Sequence, residues 1–185
     1  MRKLIYSMTV SLDGFIAGPD GEIDWSAPDE ELHLFHNERT RELGAHLCGR
    51  MLYEEMLYWE TADQQPDAGP VALEFARIWQ ELPKVVFSST LDHVQGNTRL
   101  ATDSLEAEVD RLKREAGGDI GIGGAGLAAV AAARGLIDEY QLFVAPVVLG
   151  GGTPYFPPLD HRIALELVET RTFVGRVLYQ RYRTV

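Results

Sequence analysis

Cysteine is nearly absent from the sequence: Cys48 stands alone, so no disulfide can form within one chain. Its setting, the apolar run from Ala45 to Cys48, reads as a buried strand thiol in preference to a nucleophile or metal ligand. Positive charge is scarce too. The 17 Lys and Arg residues stand against 28 Asp and Glu, for a formal net charge of -11 with no basic run to offset it. A chain of that sign repels polyanions at long range, so neither nucleic acid nor an anionic membrane is expected as a partner. Any phosphate site must be a small local pocket. Long hydrophobic runs are the third absence: after Arg2 and Lys3 the apolar stretch is broken by Ser7, Thr9, Ser11 and Asp13. That pattern resembles neither a signal peptide nor a membrane span, and it predicts a cytoplasmic protein.

What is present is ample apolar material in ordered alternation. With 45% hydrophobic residues, the chain can bury the core of one domain, 1–185, without disulfides or structural metal. Leu4, Tyr6, Met8 and Val10 alternate with Ile5, Ser7 and Thr9 as a first strand, followed by the turn pair Asp13-Gly14 and a bent loop through Pro19-Asp20-Gly21. An acidic turn at Asp29 opens an amphipathic helix running through Leu32, Phe35 and Leu43 to a stop at Gly44. Ala45 to Arg50 reads as a short buried strand, Met51 to Trp59 as a helix and Thr61 to Pro70 as a polar surface loop. Val71 to Leu82 has helical periodicity, Lys84 to Ser89 is a buried strand, and Leu105 to Ala116 is a helix closed by Gly117-Gly118. A strand from Asp119 then enters a glycine turn ahead of the small-residue helix Leu127 to Arg134.

The remaining chain holds a strand from Glu139 to Val148, the loop Gly150-Gly151-Gly152, and two segments, Ile163 to Thr172 and Val174 to Tyr182. A tight connection around Phe173 to Gly175 makes the last two an antiparallel hairpin. Strands alternating with helices predict an α/β fold in three layers: a mainly parallel central sheet, helices on both faces, and the C-terminal antiparallel hairpin at one edge.

Folds of this class place ligands beyond the carboxyl ends of their strands, and three strand ends here carry phosphate-compatible groups. Gly121, Gly123 and Gly126 have the spacing GxGxxG after a strand and before a helix, which turns backbone N–H groups and a positive helix end toward a pyrophosphate. Glycines so placed also serve close helix-to-sheet packing. The motif lies late in the chain and Asp138-Glu139 precede the next strand, so an ordinary dinucleotide-binding domain is disfavoured. Gly49-Arg50 puts a cation at a second strand-to-helix turn, where the plainer role for Arg50 is a pair with Glu54. Ser88-Ser89-Thr90 offers three hydroxyls at a third strand end, or simply a turn.

Those three groups, in this order, resemble dihydrofolate reductases and, more closely, the reductase domain of bacterial riboflavin-biosynthesis proteins and its short stand-alone relatives. The resemblance spans nearly the whole chain. It is carried by Ser11 to Gly18 (SLDGFIAG), Trp25, Cys48 to Glu55 (CGRMLYEE), Val85 to Thr90 (VVFSST), Ile120 to Leu142 and Pro146 to Pro157 (PVVLGGGTPYFP). It implies a dihydrofolate-reductase-like fold and an NADPH-dependent reductase acting on a small pterin- or pyrimidine-type heterocycle. For the riboflavin enzymes that substrate is 5-amino-6-(5-phosphoribosylamino)uracil.

The resemblance also implies roles for particular residues. Gly49, Arg50, Ser88 and Ser89 would hold the adenosine end and its 2′-phosphate, Gly123, Gly124, Ala125 and Gly126 the pyrophosphate, and Ala17 and Gly18 would cover the nicotinamide ribose. Val10, Trp25 and Glu30 would face substrate, with Glu30 as anchor and proton relay, although acidic residues at 29–31 are also what a helix start prefers. Asp13 is a second catalytic candidate, against the plainer reading of an Asx turn with Gly14. Leu52 departs from the phosphate-contacting Thr frequent in dihydrofolate reductases. The SxWIT-like and DDPxLT-type segments with which riboflavin enzymes hold a ribose phosphate have no counterpart, which counts against that substrate.

Two rival readings stand beside this one. His33 and His36, three apart on a predicted helix, are spaced for a metal-dependent hydrolase or for a solvated helix face, with no third ligand evident and no metal expected. A module that binds NADPH without catalysis is the other. Tyr155, Phe156, Tyr179 and Tyr182 mark a candidate homodimer edge or, equally, core packing.

Overall fold

The computed structural model describes residues 1–65 and 68–185. Its elements in chain order are β1 (Leu4–Ser11), β2 (Phe15–Ala17), α1 (Glu30–Arg41), β3 (Leu43–Gly49), α2 (Arg50–Met56), α3 (Pro70–Glu81), β4 (Lys84–Phe87) and β5 (Thr98–Leu100). There follow α4 (Leu105–Arg114), β6 (Asp119–Gly123), α5 (Ala125–Ala133), β7 (Glu139–Ala145), β8 (Thr153–Pro154), β9 (Leu165–Thr172) and β10 (Leu178–Thr184). Eight strands form one sheet in the order β5-β4-β3-β6-β1-β7-β10-β9. Pairing is parallel from β5 through to β7, while β10 runs antiparallel to both β7 and β9. This is the dihydrofolate-reductase-like α/β fold with its terminal hairpin. Among the described residues no helix is long and apolar enough to cross a membrane.

Side-chain alternation along the central strands decides where the core sits. On one face Tyr6, Leu47, Ile120, Ile122 and Tyr140 pack against Leu105, Val109 and Leu112 of α4 and Ala128, Ala131 and Ala132 of α5. The opposite face carries two separate clusters. Cys48 and Val86 meet Tyr53 of α2 and Phe75 and Trp79 of α3. Phe143 and Tyr179 meet Leu32 and Phe35 of α1, with Phe173 completing the group.

Several boundaries differ from those expected. The first helix ends at Arg41 and not at Gly44, because Leu43 and Gly44 already belong to β3. A Cβ on Gly44 would sit 2.9 Å from the backbone N of Gly118, so this glycine serves a close crossing of two chains and stops no helix. Arg50 leaves the third strand to open α2, and that helix stops at Met56 with a 3₁₀ turn, Leu57–Glu60, in place of its last residues. Within the expected polar loop, Ala62–Gln64 is a 3₁₀ turn with Ala62 fully buried; Pro66 and Asp67 lie outside the described residues. The fourth strand ends at Phe87, leaving Ser88 and Ser89 beyond it, and β7 ends at Ala145. The small-residue helix begins earlier, at Ala125. Tyr155 and Tyr179 are core residues, Tyr155 stacked on Tyr6 and donating its hydroxyl to Tyr6 O, Tyr179 packed against Phe35 and Phe143, so neither offers an exposed docking surface.

The most heavily paired buried carboxylate is Glu108, only 2% exposed and bonded by Arg99 at 2.8 and 2.6 Å and by Arg111 at 2.7 Å. Arg99 above all, with Arg111, holds its pKa down at about 2. The stabilisation is therefore complete above the ordinary glutamate range and is lost as pH falls toward 2. Glu108→Gln is expected to cost about 2 kcal/mol at pH 7 and to flatten the acid limb of the stability curve below about pH 4.5, measured by urea unfolding across pH.

Candidate active site

Between the two apolar clusters on the α1 side, the sheet surface is built from small residues. Ser7 and Thr9 of β1 and Gly121 and Gly123 of β6 point where large side chains would fill the space, and a cavity of about 470 Å³ opens there. The pattern Ile-Gly-Ile-Gly of β6 makes the strand a one-sided wall, apolar toward α5 and bare toward α1. A Cβ on Gly121 would come within 2.5 Å of the His46 Cδ2, so the missing side chain is what lets that imidazole lie across the floor. Trp59 and Phe75, with ring centroids 4.6 Å apart, form one wall, and His33 lies edge-on to Trp59 at 5.9 Å. His36 packs on Phe143 at 4.4 Å on the other side.

Burial sets the protonation of this site. It drives the pKa of His36 and of His46 down to about 4, His36 further disfavoured by His33 and His46 by Lys84. His33 is shifted the same way by burial. All three imidazoles are thus neutral at pH 7, each with one N–H donor and one ring-nitrogen acceptor. Cys48, whose Sγ lies 3.2 Å from His46 Nδ1, is pushed up to about 12 by burial and stays a thiol.

The strand ends meet above the cavity floor. β6 runs from Gly123 into Gly124, which has φ +92° and caps α5 with no side-chain bond. A Cβ on Gly124 would lie 3.3 Å from the Gly49 Cα, so the first and second turns abut backbone to backbone. Above Gly126 there is open space. Arg50 bonds Glu54 through Nε at 2.8 Å and Thr90 through Nη1 at 2.8 Å; neither bond uses Nη2. Ser88 Oγ accepts from the backbone N–H groups of Thr90 and Leu91, both at 3.1 Å, while Ser89 is exposed. Arg50 therefore fills its plainer role and also ties the second strand end to the third.

A fourth piece comes from the loop after β1. Asp13 accepts from the backbone N–H of Leu149 at 3.1 Å and of Gly150 at 2.7 Å, and from Ser11 Oγ at 2.7 Å. The Ser11 hydroxyl, followed by those N–H groups, holds its pKa at about 2. Ser11, not Asp13, makes the local turn by accepting from Phe15 N at 2.9 Å. Beyond it, Gly152 packs on Ala17 and Gly18, and Gly18 lies under the Glu22 side chain.

The structure gathers Gly49, Arg50, Ser88, Ser89, Gly123, Gly124, Ala125 and Gly126 around adjoining strand ends. It does not bring the expected substrate residues to the cavity. Val10 points into the opposite core, the consequence of alternation with Thr9, which does line it. Trp25 lies outside the lining and bonds Glu22 O at 3.1 Å, and Glu30 is an exposed first-turn residue of α1. Ser26 and Pro28 are the parts of that segment that reach the cavity. His33 and His36 are instead part of the cavity lining; among the described residues no group of three His, Cys, Asp or Glu side chains is arranged for a metal ion. Sequence reasoning missed His46, Trp59, Phe75 and Phe143, whose one local signal was the bare Gly121/Gly123 face opposite them.

The model of the RibD C-terminal domain matches residues 2–179. The chain belongs to the RibD C-terminal domain family. The Bacillus subtilis (strain 168) protein YyaP, itself uncharacterized, is 33% identical over 178 residues, covering 96% of this chain and 92% of that protein. Among solved structures, a putative riboflavin biosynthesis protein from Shewanella sp. PV-4 superposes with a TM-score of 0.75 at 22% identity, with 99% of each chain covered. Dihydrofolate reductase from Enterococcus faecalis, complexed with NADP(H) and RAB-propyl, superposes with a TM-score of 0.66 at 20% identity over 98% of this chain and 96% of that one. The RibD C-terminal domain described here thus belongs among reductase-type domains by family and shares its fold with dihydrofolate reductase.

The depressed histidines make stability depend on pH in a window where carboxylates do not yet titrate. Unfolded imidazoles bind protons below about 6.5, whereas His36 and His46 in the fold resist until about 4. Stability is expected to be full above pH 6.5 and to fall by about 5 kcal/mol on going to pH 4.5. The double variant His36→Gln, His46→Gln should lose most of that slope in urea titrations. Gly124→Ala is expected to cost about 2 kcal/mol by the same measurement, since it combines a positive φ with a backbone contact that cannot give way.

Proposed function

We propose that this RibD C-terminal domain is an NADPH-dependent reductase that passes a hydride to a small pterin- or pyrimidine-type heterocycle. The observation that carries the reading is that one strand serves both halves of such a site. Gly121 and Gly123 of β6 floor the cavity, and the same strand delivers Gly124 and the uncapped start of α5. A cofactor held at that turn and an acceptor held in that cavity would meet over Gly123.

The residues present fit a phosphorylated nicotinamide cofactor. Open space over Gly126 and the side-chain-free cap at Gly124 leave room for a pyrophosphate against the backbone of α5. Arg50 and the hydroxyls of Ser88, Ser89 and Thr90 form a polar corner suited to the 2′-phosphate. Ala17 and Gly18, braced by Gly152, would cover the ribose at the other end. When bound, NADPH would supply the hydride. The chain's own part is to enclose the ring with its aromatic walls, orient it, and hydrogen-bond it through the N–H of the neutral His33, His36 or His46. Asp13 takes the part of a tether for the loops, and Glu30 that of an exposed helix-start charge.

The acidic surface and lone buried thiol accord with a cytoplasmic enzyme.

Titration with NADPH and, separately, NADH, read by nicotinamide fluorescence, tests the proposal. Arg50→Ala is expected to weaken NADPH about tenfold, or about 1.4 kcal/mol, and to change NADH by less than about twofold. Failure of the wild-type chain to bind either nucleotide, or an equal loss of both in the variant, overturns it.

A further inference from the structure

We propose that the cavity beside α1 takes an uncharged, unphosphorylated flat heterocycle and rejects phosphorylated members of the same chemical class. The proposal rests on the reductase reading only in making that ligand the hydride acceptor. Recognition of a phosphate away from water needs a cation with N–H groups to spare. Among the described residues lining the cavity, Arg39 is the one Lys or Arg side chain. Its guanidinium is already charge-paired: Nη2 donates to Glu169 at 3.1 Å and Nη1 to Glu42 at 3.3 Å, its face stacks 4.9 Å from the centre of the Phe35 ring, and Nε, which has no partner, is buried.

Two carboxylates, Glu42 and Asp119, share the lining, so an entering phosphate would meet more negative charge than free positive charge. The three imidazoles add none, because burial keeps them neutral. A phosphate stripped of water there would have no counter-ion, and that cost exceeds what neutral hydrogen bonds return.

An uncharged ring meets the opposite conditions. Over Gly121 and Gly123 the floor is formed by the His46 imidazole and the Leu52 side chain, which lie close because the glycines carry no Cβ, so a planar ring would rest on an uncharged surface beside Trp59 and Phe143. Ser7, Thr9, Gln141 and the neutral imidazoles present donors and acceptors together, which suits the mixed N–H, C=O and ring-nitrogen edge of a fused heterocycle. The volume of about 470 Å³ is that of a small-molecule site.

Calorimetric titration of the full chain with 6-hydroxymethylpterin and with its phosphate monoester isolates the phosphate as the single variable. The parent is expected to bind about tenfold more tightly or better. Glu42→Gln, which removes a cavity carboxylate and one partner of Arg39, should narrow the gap about threefold by tightening the ester. Equal or tighter binding of the ester overturns the proposal, and so does binding of neither ligand by a protein that still binds NADPH. A chain that binds no NADPH yet keeps its preference for the parent upholds the cavity's selectivity and removes the reductase reading alone.

Discussion

Everything about this domain follows from the two-sidedness of β6. Ile120 and Ile122 bind the sheet to α4 and α5, while Gly121 and Gly123 leave the other side of the same strand bare. Two fully buried isoleucines contribute roughly 2–3 kcal/mol each through apolar burial, and that anchorage lets the strand sit over an unfilled space without collapsing. A strand with large side chains on both faces would make a better core and no site. The neighbouring β1 repeats the division in milder form, with Tyr6 and Val10 inward and Ser7 and Thr9 toward the cavity.

From that constraint the electrostatics follow. Helix α1 closes over the floor from the other side, presenting His33, His36, Arg39 and Thr40. Imidazoles enclosed with tryptophan and phenylalanine rings lose their protons to desolvation, so they add polarity without positive charge to a lining whose charged members are Arg39, Glu42 and Asp119. At the rim, Arg50 stands beside the glycine turns.

Much of the fold could be read in the chain because its central strands alternate cleanly and its strand-to-helix turns are marked by glycine. The start of α1 was legible for a local reason: Asp29 caps it by accepting from Leu32 N at 2.8 Å. Its end was not, since Gly44 looks like a helix stop and is a crossing point between β3 and the Gly118 backbone, a relation 74 positions apart in the sequence. The short β5 and the β2–β8 pair escaped notice because two or three residues show no periodicity. The strand-end groups were legible as motifs, but the cavity was not. Its walls come from four segments that only the tertiary fold assembles, and the Trp25–Glu30 stretch imported by resemblance turns its charged members outward.

The bond from Asp13 to Leu149 and Gly150 bears on affinity as well as on shape. It joins the loop after β1 to the loop after β7, and the contact of Gly152 with Ala17 and Gly18 fastens the far end of the same pair. The conformational entropy of both segments is thereby surrendered when the chain folds, before any ligand arrives. Any molecule that binds against these loops would meet them already ordered, so the free energy of its contacts would go into binding and not into ordering them.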